Sequence, residues 1–422
     1  LVLPLAFSSL IASSCDKNEG GKKRTWTYNY DNFFGMCELT GECSNGVDYA
    51  LTNVAVANKA EVMGVKSFRI WISPKDLFIV DDNDNLTVNQ TYYRIMKDHV
   101  EKLYEAGVRN FDFMYTTFMC PKDYLPSTGY VVPDPNTEYN MYIRYLNLTG
   151  KAAAGIAEYF PEATIIEPGN EPDFQNSSCV HKNGYIFGGS LAVNNQYLFA
   201  DDEKASILDD MCWYCKKYLK DSGHGNVKVA IPGLTNLDTA PEFLDLMYDR
   251  IKSKCLPAGQ EKSDTNVDNY FDYLNWHPYT HSNAEKCDEE WVEFQKEMYQ
   301  AAVNHGDDGR PIIFTEFGSS DFGVAQYANT DVFEKTQNFI AEIYLSGFEA
   351  IKKNFPQVEA VFCFRMFNLV HQDVSPGENN FGLFYNPDDP NTPSKAKPAA
   401  IAVAKYFNGD DFDVSLLDKH VK

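Results

Sequence analysis

Histidine is scarce in this chain: there are 8 in 422 residues, and only His277 stands at the end of an apolar run. A metal-dependent barrel hydrolase needs clusters of His and Asp at strand ends, so that class is disfavoured. Positive charge is short as well, with 37 Lys and Arg against 60 Asp and Glu and a formal net charge of -23. A field of that sign repels a phosphate backbone, which argues against nucleic acid as a partner. The sequence lacks an apolar run long enough to span a bilayer. It also lacks a Gly-rich phosphate loop after its first apolar run, which weighs against a dinucleotide-binding sheet. Neither an internal repeat nor a linker marks a second domain.

The ten cysteines do not include the second pair that Cys212 and Cys215, in "DMCWYCKKYL", would need for a zinc site. They read as core or loop cysteines, and no metal or other cofactor is expected. Cys37 and Cys43 are close enough in sequence to staple a loop, a bridge that export permits. The segment "LVLPLAFSSLIASSCDKNEGGKKRTW" reads as the tail of a signal peptide. Its end, Ala12-Ser13-Ser14-Cys15, resembles a loose bacterial lipobox, so either Cys15 carries a lipid anchor or simple signal cleavage falls nearby. Both readings imply a secreted or cell-surface protein, with residues 1–26 as signal remnant and tether and 27–422 as one folded domain. Sequons at Asn85, Asn89, Asn147 and Asn176 would carry glycans only in a eukaryotic source.

What is abundant is apolar and aromatic: the chain is 44% hydrophobic, with 26 Tyr and 29 Phe, the composition of a globular protein. Eight short apolar runs alternate with helix-like stretches: "NFFGMCEL", "VKSFRIWIS", "VRNFDFMYTTF", "TIIEPGN", "VKVAIPGL", "YFDYLNWHPY", "PIIFTEFG" and "VEAVFCFRMFN". Helical spacing marks Tyr92 to Ala106, Asn140 to Tyr159, Glu203 to Leu219, Glu289 to Ala302 and Asp331 to Asn354. Stops such as "YEAGVRN" and "DSGHGNVKV" end several of them. The alternation and length predict an α/β fold, a (β/α)8 TIM barrel. Two long connections, Asp173 to Asp202 and Asn368 to Ser394, follow strands and belong on the C-terminal face, where barrels build sites. They carry Phe174, Tyr185, Phe187, Tyr197, Phe381, Phe384 and Tyr385, aromatic faces that either line a groove or pack the loops.

Polar groups recur at the ends of the runs. Arg69 shares a face with Trp71; Asn170 and Glu171 follow the fourth run; His277 and Tyr279 share a face after the sixth; Glu316 ends the seventh. Barrel closure brings carboxylates from different strands together. Two such acids suit glycosidic hydrolysis, one protonating the departing oxygen and the other meeting the positive charge at the anomeric carbon. Their environments must then drive their pKa values apart, and a nearby Arg, Tyr and His would hold Glu316 ionised. Glu167 rivals Glu171, because strict alternation would put both on one face. Pro168 interrupts that alternation, and Glu167 reads as a deeper, structural acid.

"GNEPD", "WHPY" and "FTEFG", in that order at successive strands, resemble the clan A glycoside hydrolases of the family 5 or family 39 type, over about Asn29 to Phe407. The stretch "FGLFYNPDDPNTPSKAKPAAIAVAKYF" is similar to their closing loop and helix. The resemblance implies Glu171 as acid/base and Glu316 as nucleophile of a double displacement. It implies Asn170 on the sugar 2-hydroxyl, His277 and Tyr279 orienting nucleophile and sugar, and Arg69 neutralising charge near Glu316, with Trp71 beside it as a substrate-binding residue. The implied substrate is a β-linked carbohydrate in plant-type polysaccharides or oligosaccharides. The His after strand three and the Trp on strand eight of many family 5 members are missing, and Tyr115 and Arg365 are expected in the corresponding space. An Arg365 facing the cleft would suit an acidic sugar. The alternative is a non-catalytic carbohydrate-binding surface protein on a barrel scaffold; the sugar, the linkage and endo or exo action stay open.

Overall fold

A computed structural model describes residues 26–38, 49–115, 138–173, 192–193, 196–197, 201–235, 238–280, 286–321, 331–368, 380–385 and 395–418. The eight apolar runs form eight parallel strands: β1 (Phe34–Glu38), β2 (Ser67–Trp71), β3 (Asn110–Tyr115), β4 (Ala163–Pro168), β5 (Lys228–Val229), β6 (Leu274–Asn275), β7 (Ile312–Phe317) and β8 (Val358–Phe364). They lie in the order β6-β7-β8-β1-β2-β3-β4-β5. Parallel bridges Ala230 to Tyr273 and Leu234 to Trp276 join the two edges beyond β5 and β6, which curls the sheet into a barrel. Each strand is followed by one long helix: α1 (Tyr49–Met63), α2 (Gln90–Glu105), α3 (Glu138–Tyr159), α4 (Asp201–Asp221), α5 (Ala240–Lys252), α6 (Glu289–Asn304), α7 (Asp331–Asn354) and α8 (Pro398–Asn408). The expected (β/α)8 architecture is therefore present.

Alternation along each strand divides the core in two. Residues such as Phe68, Ile70, Phe111, Phe113 and Phe314 pack outward on the helices, while Cys37, Ile165, Ala230, Ile313, Ala360 and Phe362 fill the barrel interior. Below the interior, Trp26 to Tyr30 cross the N-terminal mouth: Trp26 Nε1 donates to the Asp308 carbonyl at 3.1 Å and Tyr28 to that of Gly309 at 2.8 Å. Trp26 is thus tied to the barrel by a hydrogen bond; Cys15 and the rest of residues 1–25 lie outside the described residues. Among the described residues, no helix is long and apolar enough to cross a membrane.

Cys37 is not placed for the loop staple expected of it. Cys37 is a free thiol inside the barrel, and burial pushes its pKa up to about 12. Its side chain points to the interior with the rest of its strand face, away from any surface staple; Cys43 lies outside the described residues. Cys212 and Cys215 are buried free thiols on α4, in the core as expected. Three sequon asparagines already use their amide nitrogens: Asn85 Nδ2 donates to Asp81, Asn89 Nδ2 to the Asp76 carbonyl and Asn147 Nδ2 to the Ile143 carbonyl.

Candidate active site

The C-terminal ends of β4 and β7 meet on the guanidinium that β2 supplies, with the end of β6 beside them. Arg69 is fully buried and spreads its donors over several partners: Nε and Nη2 bind Glu167 at 2.8 and 2.9 Å, Nη1 binds Glu316 at 2.6 Å and lies 4.0 Å from Cys37 Sγ, and Nη2 also binds Asn170 Oδ1 at 2.8 Å. A guanidinium only donates, so the Asn170 atom that meets it must be the carbonyl oxygen, and Nδ2 remains as the donor for another partner. Trp71 lies beside this centre with its ring 5.6 Å from the Arg69 guanidinium carbon, and its indole N–H makes no hydrogen bond among the described residues.

Glu316 reaches this cluster because β7 is not regular. Phe314 pairs with Val361 and Phe317 with Cys363, so one extra residue bulges from β7. Thr315 and Glu316 consequently both face the interior, and Phe317 returns outward to pack on Tyr344 and Phe348. Glu316 Oε1 takes the Arg69 bond, and Oε2 accepts the Tyr279 hydroxyl at 2.8 Å. Burial alone would raise the Glu316 pKa, but the charges of His277 and Arg69 and the hydrogen bonds from Tyr279 and Arg69 outweigh it and hold the carboxyl below its usual range. The same contacts push Tyr279 well above an ordinary phenol, by burial first and then by the Glu316 charge.

His277 is fully buried and links the two acids. Its Nδ1 is 2.9 Å from Glu171 Oε1 and 3.7 Å from Glu316 Oε2, and its Nε2 is 3.2 Å from Thr315 Oγ1. Thr315 passes the chain to Asn275 Oδ1 at 3.0 Å, and Asn275 Nδ2 donates to Glu167 at 2.9 Å. Burial works against charge on the imidazole, but Glu316 and Glu171 prevail and raise its pKa. This contribution to stability is complete below about 6.5 and is lost as pH rises through the raised folded value; that of Glu316 is present above about 4.5 and is lost as pH falls through its lowered value. Chemical unfolding followed across pH should therefore show greatest stability between those limits, and His277→Asn should flatten the alkaline decline.

Glu171 sits beyond β4 at φ 45°, a left-handed backbone that is rare for a residue with a side chain. Its N–H donates to the Gly233 carbonyl at 2.8 Å, and Gly233 N–H in turn donates to Glu167 at 2.8 Å. Glu167 is fully buried, with both oxygens taken up by Arg69, Gly233 and Asn275, as its reading as a deep structural acid requires. Gly233, in the turn after β5, carries no signal of its own in the sequence, yet it meets Glu167, Glu171 and His277: a Cβ there would fall 2.2 Å from His277 Nε2 and 3.0 Å from Thr315 Oγ1. Gly233→Ala should displace the imidazole and lower kcat by about 10²-fold. Gly225→Ala, where a Cβ meets only ordinary contact at 3.8 Å, serves as the control in the same assay.

Two expectations about strands three and eight are overturned. Tyr115 follows the outward parity of Phe111 and Phe113, and its hydroxyl lies between the Thr149 carbonyl and Cys215 Sγ, at 3.0 Å from each, on the helix side of the sheet. Arg365 is 1% exposed and ion-paired with Glu38, whose second oxygen accepts the Phe367 N–H at 2.9 Å. Its charge is neutralised within the fold, so it is not a receptor for an acidic sugar. The space beside Tyr279 belongs instead to Phe364, unnoticed in the sequence, and to Phe381. Their rings stand 5.4 Å apart and 6.4 and 5.7 Å from Tyr279. Of the other loop aromatics, Phe384 packs in the core and Tyr385 lies over Lys397, while Phe174, Tyr185 and Phe187 are outside the described residues.

Among the described residues, Glu171, His277 and Glu316 are the one group of three metal-type donors, with one ligand atom from each within 4.8 Å of the others. Arg69 already holds Glu316, and a metal cation there would face that charge directly.

Comparison with protein-family models and with curated proteins returns no match. Solved structures do match in fold. A family 39 glycoside hydrolase from the gut symbiont Bacteroides cellulosilyticus aligns with 90% of this chain at 14% identity and a TM-score of 0.52; the chain spans 64% of that enzyme's length. A double mutant of the β-glucosidase from Trichoderma harzianum aligns over 90% of this chain and 99% of its own, at 14% identity and a TM-score of 0.59. A broad-specificity family 5 endoglucanase from Clostridium acetobutylicum aligns over 89% and 97%, at 12% identity and a TM-score of 0.53. In fold, then, the chain resembles the glycoside hydrolases to which its motifs also pointed.

Proposed function

We propose that this protein is a retaining glycoside hydrolase that cleaves β-linked plant-type polysaccharides or oligosaccharides. The observation that carries the reading is the pairing of Glu171 and Glu316, with a carboxylate oxygen of each within 4.8 Å and an Arg, a Tyr and a His apportioned between them. Retaining enzymes hold their carboxyl groups roughly 5–5.5 Å apart, inverting ones roughly 6.5–9.5 Å to admit a water. The short spacing supports direct attack by one carboxylate.

In this scheme Glu316, kept ionised by Arg69 and Tyr279, attacks the anomeric carbon as the bond to the leaving oxygen breaks. The proton shared between Glu171 and His277 Nδ1 goes to that oxygen. Glu171 then removes a proton from water, whose oxygen displaces Glu316 and restores the original anomer. Asn170 Nδ2 binds the hydroxyl next to the reacting carbon, and Trp71, Phe364, Phe381 and Tyr279 supply aromatic surface for the ring. Support for the substrate class comes from the fold shared with a β-glucosidase and an endoglucanase. Export, with or without a lipid on Cys15, belongs to the same proposal.

A panel of β-glucan, β-mannan, xylan and aryl β-glycosides, with proton NMR of the first-formed sugar, tests the reading. Turnover with the original anomer is expected. An inverted product contradicts double displacement, and binding without turnover favours the non-catalytic alternative.

A further inference from the structure

The turn that carries Glu171 ends in a buried acid to which the chemistry above gives no part. Asp173 is 2% exposed, and its oxygens accept from the Thr235 N–H at 3.0 and 3.2 Å and from the Thr235 hydroxyl at 2.6 Å. Thr235 lies two residues past Gly233, which bridges Asn170 and accepts the Glu171 N–H at 2.8 Å. The segment after β4 is thus laced to the segment after β5 on both sides of Glu171. Between the two attachments Glu171 holds φ 45°, a conformation that persists in a non-glycine residue only where its surroundings impose it. Gly233 supplies one restraint and the Asp173–Thr235 clasp the other.

We propose that Asp173 is a positioning residue: by clasping Thr235 it fixes the left-handed backbone at Glu171 and so holds that carboxyl on His277, where it meets the departing oxygen. The inference rests on the acid/base reading of Glu171. A residue acting in this way affects protonation of the leaving group selectively. An activated aryl glycoside, whose leaving group departs without a proton, is nearly indifferent to it in kcat/KM; an alkyl or unactivated aryl glycoside is not.

The test compares kcat/KM for the two kinds of glycoside in Asp173→Ala, Thr235→Val, Thr235→Ser and the Asp173→Ala/Thr235→Val double variant. General acid catalysis contributes about 10²–10⁴-fold, so partial misplacement should cost about 10–100-fold on the poor leaving group and less than about 2-fold on the activated one. Thr235→Ser, which keeps both donors, should retain the wild-type ratio, and the double variant should lose no more than the worse single one. Equal losses on both substrates, as general destabilisation would produce, overturn the proposal; so does an unchanged ratio in a folded Thr235→Val. Glu171→Gln separates this failure from that of the underlying reading: if it leaves the poor leaving group unaffected, Glu171 is not the acid and the proposal falls with it.

Discussion

Glu316→Gln should abolish hydrolysis, with kcat down roughly 10⁴- to 10⁶-fold, the range expected when a nucleophile or its essential partner is removed. The substitution keeps the shape of the side chain and an oxygen for the Tyr279 hydroxyl or Arg69, but it takes away the charge that both stabilise. The loss should therefore be confined to chemistry. Substrate binding, read by quenching of tryptophan fluorescence, should survive within a few fold, because Trp71, Asn170 and the aromatic wall are untouched. Steady-state rates on the best glycoside of the panel give the first number and a binding titration the second. Loss of binding together with turnover would show that the residue holds the site together instead of reacting.

Arg69→Met should be the most damaging substitution for stability. It leaves Glu167, fully buried, and Glu316, 6% exposed, without the cation that both contact. Breaking a buried ion pair by removing one partner costs about 3–5 kcal/mol, since the remaining charge stays desolvated. Chemical denaturation of Arg69→Met against wild type measures that cost. Adding Glu167→Gln removes one of the stranded charges while keeping the acceptor for Gly233 and Asn275, and should recover a good part of the stability with no recovery of activity. Equal stability of Arg69→Met and wild type would mean that the cluster is solvated and that Glu316 is not held as described.

The barrel was legible because each strand is a short apolar run bounded by polar residues, and burial on both faces of a parallel sheet demands that pattern. The five helices with one-sided apolar periodicity were legible for the same reason. Helix α1 was harder: "YALTNVAVANKAEVM" scatters Val, Ala and Leu around the helix, so no stripe stands out. At the candidate site, residue types at strand ends singled out Arg69, Asn170, Glu171, His277, Tyr279 and Glu316, side chains that barrel topology brings together.

What stayed hidden depends on backbone geometry that alternation does not encode. The bulge that turns both Thr315 and Glu316 inward adds a residue without any turn-type signal. Gly233 shows its purpose only when His277 lies against it from the next strand. The choice between Phe364 and Arg365 as the residue facing Tyr279 is a question of parity at a strand's last residue, where one step reverses the answer. For Tyr115 the parity was available: Asp112 approaches Arg69 at 3.9 Å, three residues earlier and so on the opposite face.

In the double displacement proposed for this chain, Glu316 bonds covalently to the sugar while Glu171 manages the proton. Incubating the protein with a set of 2-deoxy-2-fluoro β-glycosyl fluorides, which form the intermediate quickly and release it slowly, followed by intact-mass and peptide mass spectrometry, would reveal that bond. One added fluorosugar per chain is expected, mapped to the peptide containing Glu316, and none on Glu316→Gln. An adduct on any other residue, or rapid hydrolysis of natural glycosides with no adduct from any member of the set, would contradict it.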